Sequence, residues 1–391
     1  MIVLHSLFRF IFCLFVLLFS YLSYAEESNI FTPAPPKIAA SSFVLMDYHS
    51  GKILAENNAD IKLAPASLTK IMTVYVVLRE ISDGHLHLDD LVTVSQTAWQ
   101  ASGSRMFLEV GDKVKVEDLL KGVIIQSGND ASVALAEHVA GSESTFADMM
   151  NQHAARIGMV NTHFQNSNGL PIDNHYTSAK DLAILTKALI DEFSDYYRWF
   201  SQKEFTYNKI TQHNRNQLLS RDDSVDGVKT GFTDDAGYCL VASALRENMR
   251  LISVVMGTSS AAARANENQN LLNYGFRFFE VHKLYEAQKS LTDVHVWKGD
   301  SKTVSLGLVS DLYALVPRRH YNDLKVELVV DKKITAPIAK NTKLGTVNVS
   351  LKSDLIVTAD LVALNAVQQG NILQRFYDSV MMLKEKSNDR K

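Results

Sequence analysis

Residues 67–78 read Ser67-Leu68-Thr69-Lys70-Ile71-Met72-Thr73-Val74-Tyr75-Val76-Val77-Leu78, a helical pattern opening after Pro65 and Ala66. Ser67 and Lys70 are three apart, so a helix sets both side chains on one face. A serine hydroxyl attacks a carbonyl only when a neighbour removes its proton. Lys70 does this only as a neutral amine, which requires burial and a nearby cation, with Lys229 as a candidate. The partial positive charge of the helix start favours negative charge developing on Ser67 Oγ and on a substrate oxyanion.

Two more strings follow in order. Ser127-Gly128-Asn129 lies between two helical patterns, where a loop enters a cleft. Ser127 suits proton transfer to a leaving amine, and Asn129 suits a substrate peptide carbonyl. Lys229-Thr230-Gly231 follows Val225-Asp226-Gly227-Val228 as an edge strand. Lys229 and Thr230 suit a carboxylate, and Gly231 lets a ligand backbone lie close. An extended peptide would add there as one more strand. The backbone N–H groups of Phe232 and Ser67 make a candidate oxyanion hole. Each string alone has a plainer reading: a helix cap with a solvated lysine, a turn, a strand carrying a lysine. Their order and joint presence carry the functional one.

The chain has 391 residues, enough for two domains, and a formal net charge of -3, which argues against nucleic acid as the main partner. Residues 10–19 are almost wholly apolar, Arg9 is the one formal side-chain charge before them, and Ser23-Tyr24-Ala25 places small residues before a cut after Ala25. Residues 1–25 therefore read as a secretory signal peptide, with an uncleaved anchor helix as the alternative; either one exports the rest. Of the two cysteines, Cys13 leaves with that segment and Cys239 lies in a strand pattern, so Cys239 reads as a small buried hydrophobe. No histidine or cysteine spacing suits a metal, and none is expected; His85, His87, His138, His153 and His163 read as surface or capping residues.

Residues 43–46 and 52–55 read as a hairpin, and 118–125, 130–139, 178–190 and 261–278 as helices. Ser178 with Asp181 resembles a capping box. Strand patterns cover 238–245 and 251–256. This order implies an α+β domain over 26–285, an antiparallel sheet with helices. Beyond it, short strands at 294–297, 303–308, 312–316, 325–330, 346–351 and 354–359 imply a separate all-β domain over 286–370. In 371–391, Ile372, Leu373, Phe376, Val380 and Leu383 share one helical face. That pattern fits an interfacial membrane helix, or equally one docked on its own domain or on a second copy.

With these strings on the page, the chain resembles the low-molecular-mass penicillin-binding proteins, the serine-type D-alanyl-D-alanine carboxypeptidases. The resemblance extends to His213-Asn214-Arg215-Asn216 and Asn273-Tyr274-Gly275-Phe276, and covers the β-rich domain and the terminal helix. It implies catalytic roles for Ser67, Lys70 and Ser127, and substrate binding by Asn129, Lys229, Thr230, Gly231 and, more weakly, Arg264. It implies a stem peptide ending in D-Ala-D-Ala as substrate, β-lactams as acylating inhibitors and no cofactor. It also implies a periplasmic enzyme held at the inner membrane surface through 371–391. One departure stands out: the position after Lys-Thr-Gly, commonly histidine in the family, is Phe232. Two other readings remain. A class A-like β-lactamase needs a glutamate in an E-x-x-x-N string, which Glu204 and Asn208 match only formally, in a strand-like stretch. A catalytically idle wall-binding scaffold would use the β-domain alone.

Overall fold

Strand β1 (Ser42–Asp47) is buried along its whole length because both its faces are covered. Phe43 and Leu45 join one apolar cluster, and Val44 and Met46 join another on the opposite side. A continuous apolar run, rather than alternation, is what two-sided burial demands. In the computed structural model, which describes residues 32–388, β1 pairs with β2 (Ile53–Asn57), and β3 (Val225–Thr233), β4 (Gly237–Arg246) and β5 (Met249–Thr258) complete a five-stranded sheet. Its order is β2-β1-β5-β4-β3, antiparallel throughout, which leaves β3 at an edge. The expected signal segment over 1–25 lies outside the described residues. All elements named here belong to one compact unit within Ala34–Lys391.

Helix α1 (Thr69–Ser82) is buried on every side from Thr69 to Leu78. A helix apolar all round belongs in a core, and each such side chain contributes about 1.5–3 kcal/mol by leaving water. Around it pack α2 (Asn129–Ala140), α3 (Glu143–Ile157) and α4 (Ala179–Glu192). Ser178 caps α4 by accepting from the Asp181 N–H at 3.1 Å. The Asp181 carboxylate does not return to Ser178's backbone; it accepts from Asn161 N and Thr162 Oγ1, both at 2.7 Å. Half of the expected capping box therefore forms, because a long-range partner claims the carboxylate. On the other face of the sheet lies α5 (Ala261–Phe278), over the expected residues and capped by Ser260. Residues 116–121 form a short α-helix that widens into a π-turn at Gly122–Gln126, which ends in Ser127.

Helix α5 runs directly into β6 (Phe279–Tyr285), a strand absent from the sequence reading. A second sheet comprises β7 (Thr292–His295), β8 (Thr303–Gly307), β10 (Leu324–Val330), β11 (Lys343–Leu351) and β12 (Asp354–Ala363), in the order β7-β8-β12-β11-β10. Strand β9 (Leu312–Pro317) pairs with β6 instead, and Phe279, Val281 and Leu315 pack into the core under α5. Cys239 is fully buried in β4, and burial pushes its thiol up to about 11, the inert state expected of it.

The last helix, α6 (Ile372–Asn388), starts at Asn371, whose Oδ1 accepts from Gln374 N at 2.9 Å. Its apolar stripe faces solvent: Leu373 is 82% exposed and Phe376 72%. The helix is not docked on its own domain by that face. No helix among the described residues is long and apolar enough to cross a membrane.

Candidate active site

Ser67 lies in a single 3-10 turn, Ala66–Leu68, that leads into α1. Ala66 holds a left-handed backbone with φ of 47°, which costs an L-residue on the order of 1–2 kcal/mol. Neighbouring glycines frame this turn. A Cβ on Gly169 would overlap the Ala66 carbonyl oxygen, and one on Gly231 would sit 3.1 Å from Pro65 O and 3.3 Å from Ala66 Cβ. Gly231 on edge strand β3 thus touches the turn that carries Ser67.

Lys70 Nζ lies 3.1 Å from Ser67 Oγ, 2.6 Å from Asn129 Oδ1 and 2.5 Å from the Asn168 carbonyl. Lys70 itself is fully buried, beneath the cleft-lining Ser67, Asn129 and Asn168. That burial, first, and the Arg215 guanidinium, second, push Lys70 down to about 7, while Asp130 and Glu143 pull the other way. Lys229 is itself buried, and burial together with Lys70, Arg215 and Arg264 drives it well below an ordinary lysine.

Ser127 takes a left-handed backbone (φ 69°) at the end of the π-turn, and its buried Oγ has no hydrogen-bond partner among the described residues. Asn129 is braced: besides serving Lys70, its Nδ2 donates to Ser102 O at 2.5 Å and its backbone N to Ser104 O at 2.7 Å. One Nδ2 hydrogen remains for a ligand. The next residue, Asp130, is fully buried and accepts from the Met106 and Leu108 N–H groups at 2.8 and 3.2 Å. Together they pin the 102–108 loop as one cleft wall.

The cleft has a volume of about 450 Å³ and is lined by Ser67, Ser127, Asn129, Thr230, Gly231, Phe232 and Arg264, with Arg215 and Asn168 among the rest. It gathers the three strings from separate parts of the chain. Lys229 packs beneath this wall, its Nζ 3.2 Å from Thr230 O. Arg264 donates to Gly231 O at 3.0 Å, fixing the edge strand from behind, and its guanidinium lies 5.6 Å from the Tyr238 ring centre. Phe232 is 48% exposed, its ring 4.3 Å from that of Tyr238 at the rim. Glu204 sits on the exposed hairpin Glu204–Tyr207/Ile210–His213, beside His213 at 3.3 Å, and does not line the cleft. The β-lactamase reading thus lacks its carboxylate there.

Four contributors carried no assigned role in the sequence reading. The Asn168 carbonyl is anonymous because every residue has one. Glu143 anchors its segment through Ser167 N and Oγ at 3.0 and 2.6 Å and Asn168 Nδ2 at 3.3 Å. Arg215 sits in a string noticed only for its likeness. His175 accepts from Gln165 N at 3.1 Å through Nδ1, so its Nε2–H donates to Thr69 Oγ1 at 2.8 Å. Burial holds it neutral by lowering it to about 4.

A helix-backed antiparallel sheet whose edge strand closes on a cleft serine beside a buried lysine is the arrangement of a serine acyl-transferring hydrolase of the penicillin-recognising class. Residues 29–260 match the family model described as D-alanyl-D-alanine carboxypeptidase, and 279–369 that of the penicillin-binding protein 5 C-terminal domain. The chain is 43% identical over 371 residues to the D-alanyl-D-alanine carboxypeptidase DacA of Escherichia coli K12, covering 92% of each. It is 44% identical over 376 residues to DacC of the same organism, covering 94% of this chain and 93% of the relative. The solved penicillin binding protein 5 of Haemophilus influenzae superposes with a TM-score of 0.80 at 43% identity, covering 86% of this chain and all of that one. The chain belongs to the D-alanyl-D-alanine carboxypeptidase family.

Proposed function

We propose that this enzyme removes the terminal D-alanine from peptidoglycan stem peptides ending in D-Ala-D-Ala, through an ester on Ser67. The observation that carries the reading is the buried amine of Lys70 within hydrogen-bond distance of Ser67 Oγ. As an ammonium, Lys70 has three hydrogens for three acceptors. On losing one, it keeps Asn129 and Asn168 satisfied and turns its lone pair to the Ser67 hydroxyl. The proton of Ser67 passes to Lys70, and Oγ attacks the carbonyl between the two D-alanines. The oxyanion rests on the N–H groups of Ser67 and Phe232. Ser127, its hydroxyl otherwise unpartnered, hands its proton to the leaving amine as the C–N bond breaks and takes up the proton Lys70 removed from Ser67, so both groups return to their starting states. Lys229, Thr230 and Arg264 receive the terminal carboxylate, Gly231 admits the ligand backbone, and Asn129 holds a peptide carbonyl. Water then hydrolyses the ester. A β-lactam acylates the same oxygen, but its ester hydrolyses slowly. Phe232 leaves the oxyanion N–H in place and alters only the rim. Covalent labelling of Ser67 by a tagged penicillin, with D-alanine release from a purified muropeptide, tests the reading; no label would overturn it.

Acylation should rise with pH through about 7 as Lys70 sheds its proton, then level. Arg215→Gln removes a cation that disfavours the ammonium, so that limb should move to higher pH. The pH dependence of acylation at saturating penicillin checks this, and an unmoved midpoint would exclude Arg215 as the tuning charge.

The catalytic region spans 26–285, the β-rich region 286–370 and the terminal helix 371–391, with residues 1–25 as the export signal. The exposed stripe on α6 lies in the periplasmic face of the inner membrane. Deleting 371–391 should release the protein from membranes with D-alanine release intact. Continued sedimentation with membranes, once the leader is shown to be cleaved, would count against the anchor.

A further inference from the structure

Strand β10 ends the second sheet, and its outer edge has no ladder partner among the described residues. The strand pairs with β11 in unbroken register from Leu324 to Val330, with no bulge, and holds no proline. Residues 325–329 are all exposed. An open edge is a template for another strand, and proteins ordinarily blunt it with bulges, proline or charges; β10 has neither bulge nor proline, and its two charges are of opposite sign.

The order of residues along this edge is specific: Leu324-Lys325-Val326-Glu327-Leu328. Turned end for end, it presents leucine to leucine, valine to valine and lysine to glutamate. Leu324, Val326 and Leu328 lie opposite the buried Leu351, Val349 and Val347 of β11, so they continue the core face of the sheet. Val326 is nevertheless 41% exposed and Leu328 37%, because the core stops short of the edge. Lys325 and Glu327 project to the other face, where neither has an ion-pair partner among the described residues. Val329, 45% exposed, shares that outer face beyond the charged pair.

We propose that β10 is an isologous interface, pairing antiparallel with β10 of a second copy about a two-fold axis at Val326. In this register Val326 faces Val326, Leu324 faces Leu328, and Lys325 faces Glu327 twice over. Directly opposed pairs of these kinds favour a sheet, and like charges there oppose it. The two five-stranded sheets join into one of ten, and the axis relates the two copies as a closed dimer. The strand pair is small beside the roughly 1,200–2,000 Å² of a stable interface, so association is weak in solution. It strengthens where molecules are concentrated, as at a surface.

Charge reversal in the full chain tests this. Lys325→Glu and Glu327→Lys, singly, place like charges in opposition and should weaken self-association roughly tenfold or more. The double variant, Lys325→Glu with Glu327→Lys, restores opposite pairs and should regain it. Sedimentation velocity in detergent reads the dimer, and penicillin labelling reports that each variant is folded. Independently, Val326→Cys in a Cys13→Ser chain should form a symmetric disulfide, since opposed strand residues meet the Cα separation a disulfide needs. Val329→Cys, displaced from the axis, should not. A wild-type chain monomeric at every concentration, or a dimer indifferent to the single reversals, would overturn the proposal.

Discussion

Lys70→Ala is expected to slow acylation of Ser67 by a tagged penicillin by roughly a thousandfold, within the range for a lost general base. The substitution leaves the Ser67 hydroxyl with its proton and no buried acceptor within reach. It also strips Asn129 Oδ1 and the Asn168 carbonyl of a shared donor. Unsatisfied buried acceptors cost about 1–3 kcal/mol each, so the variant should melt at a lower temperature while remaining folded, since water can enter from the adjoining cleft. Rapid-quench labelling alongside circular dichroism separates the two effects. An acylation rate within about tenfold of wild type in a folded variant would remove Lys70 from the role of base.

Gly169→Ala should damage the site without touching a reacting group. Gly169 has φ of +84°, and a Cβ there would overlap the Ala66 carbonyl oxygen and come within 2.9 Å of Thr69 Oγ1. Ala66 belongs to the turn that presents Ser67, and Thr69 opens α1 directly after it. The strained backbone and the forced shift together should cost about 3 kcal/mol. A displacement of Ser67 by about 1 Å should cost on the order of a hundredfold in acylation. Gly141→Ala is the matched comparison: its φ is +77° but nothing lies within 4 Å of the added methyl. It should lose only the left-handed preference and keep its acylation rate. Equal losses in the two variants would show that the contact with Ala66 is unimportant.

The π-turn and the strand at 279–285 show where local pattern stops. Residues 118–125 carry a helical pattern, and the structure keeps a helix only to Lys121 before the turn widens to deliver Ser127 into the cleft. At Phe279 a helical stretch becomes a strand because Leu312–Pro317 offers a ladder, a partner outside any local window. Hairpin β1–β2, edge strand β3 and helix α5 were legible, since each has period, caps or turn residues within its own span.

Residue type and three-residue spacing at a helix start were enough, in the sequence alone, to put a hydroxyl and an amine on one face, and the order of the three strings along the chain was enough to mark them as candidates for the chemistry. Tertiary structure alone decided how acidic that amine is and what steadies it. Lys70 reaches about 7 because packing on every side of its helix excludes water and brings Arg215 near. The carbonyl that accepts from it belongs to a residue 98 positions away. Solvent exclusion and the meeting of distant segments are properties of the folded chain, so no stretch of sequence read alone contains them.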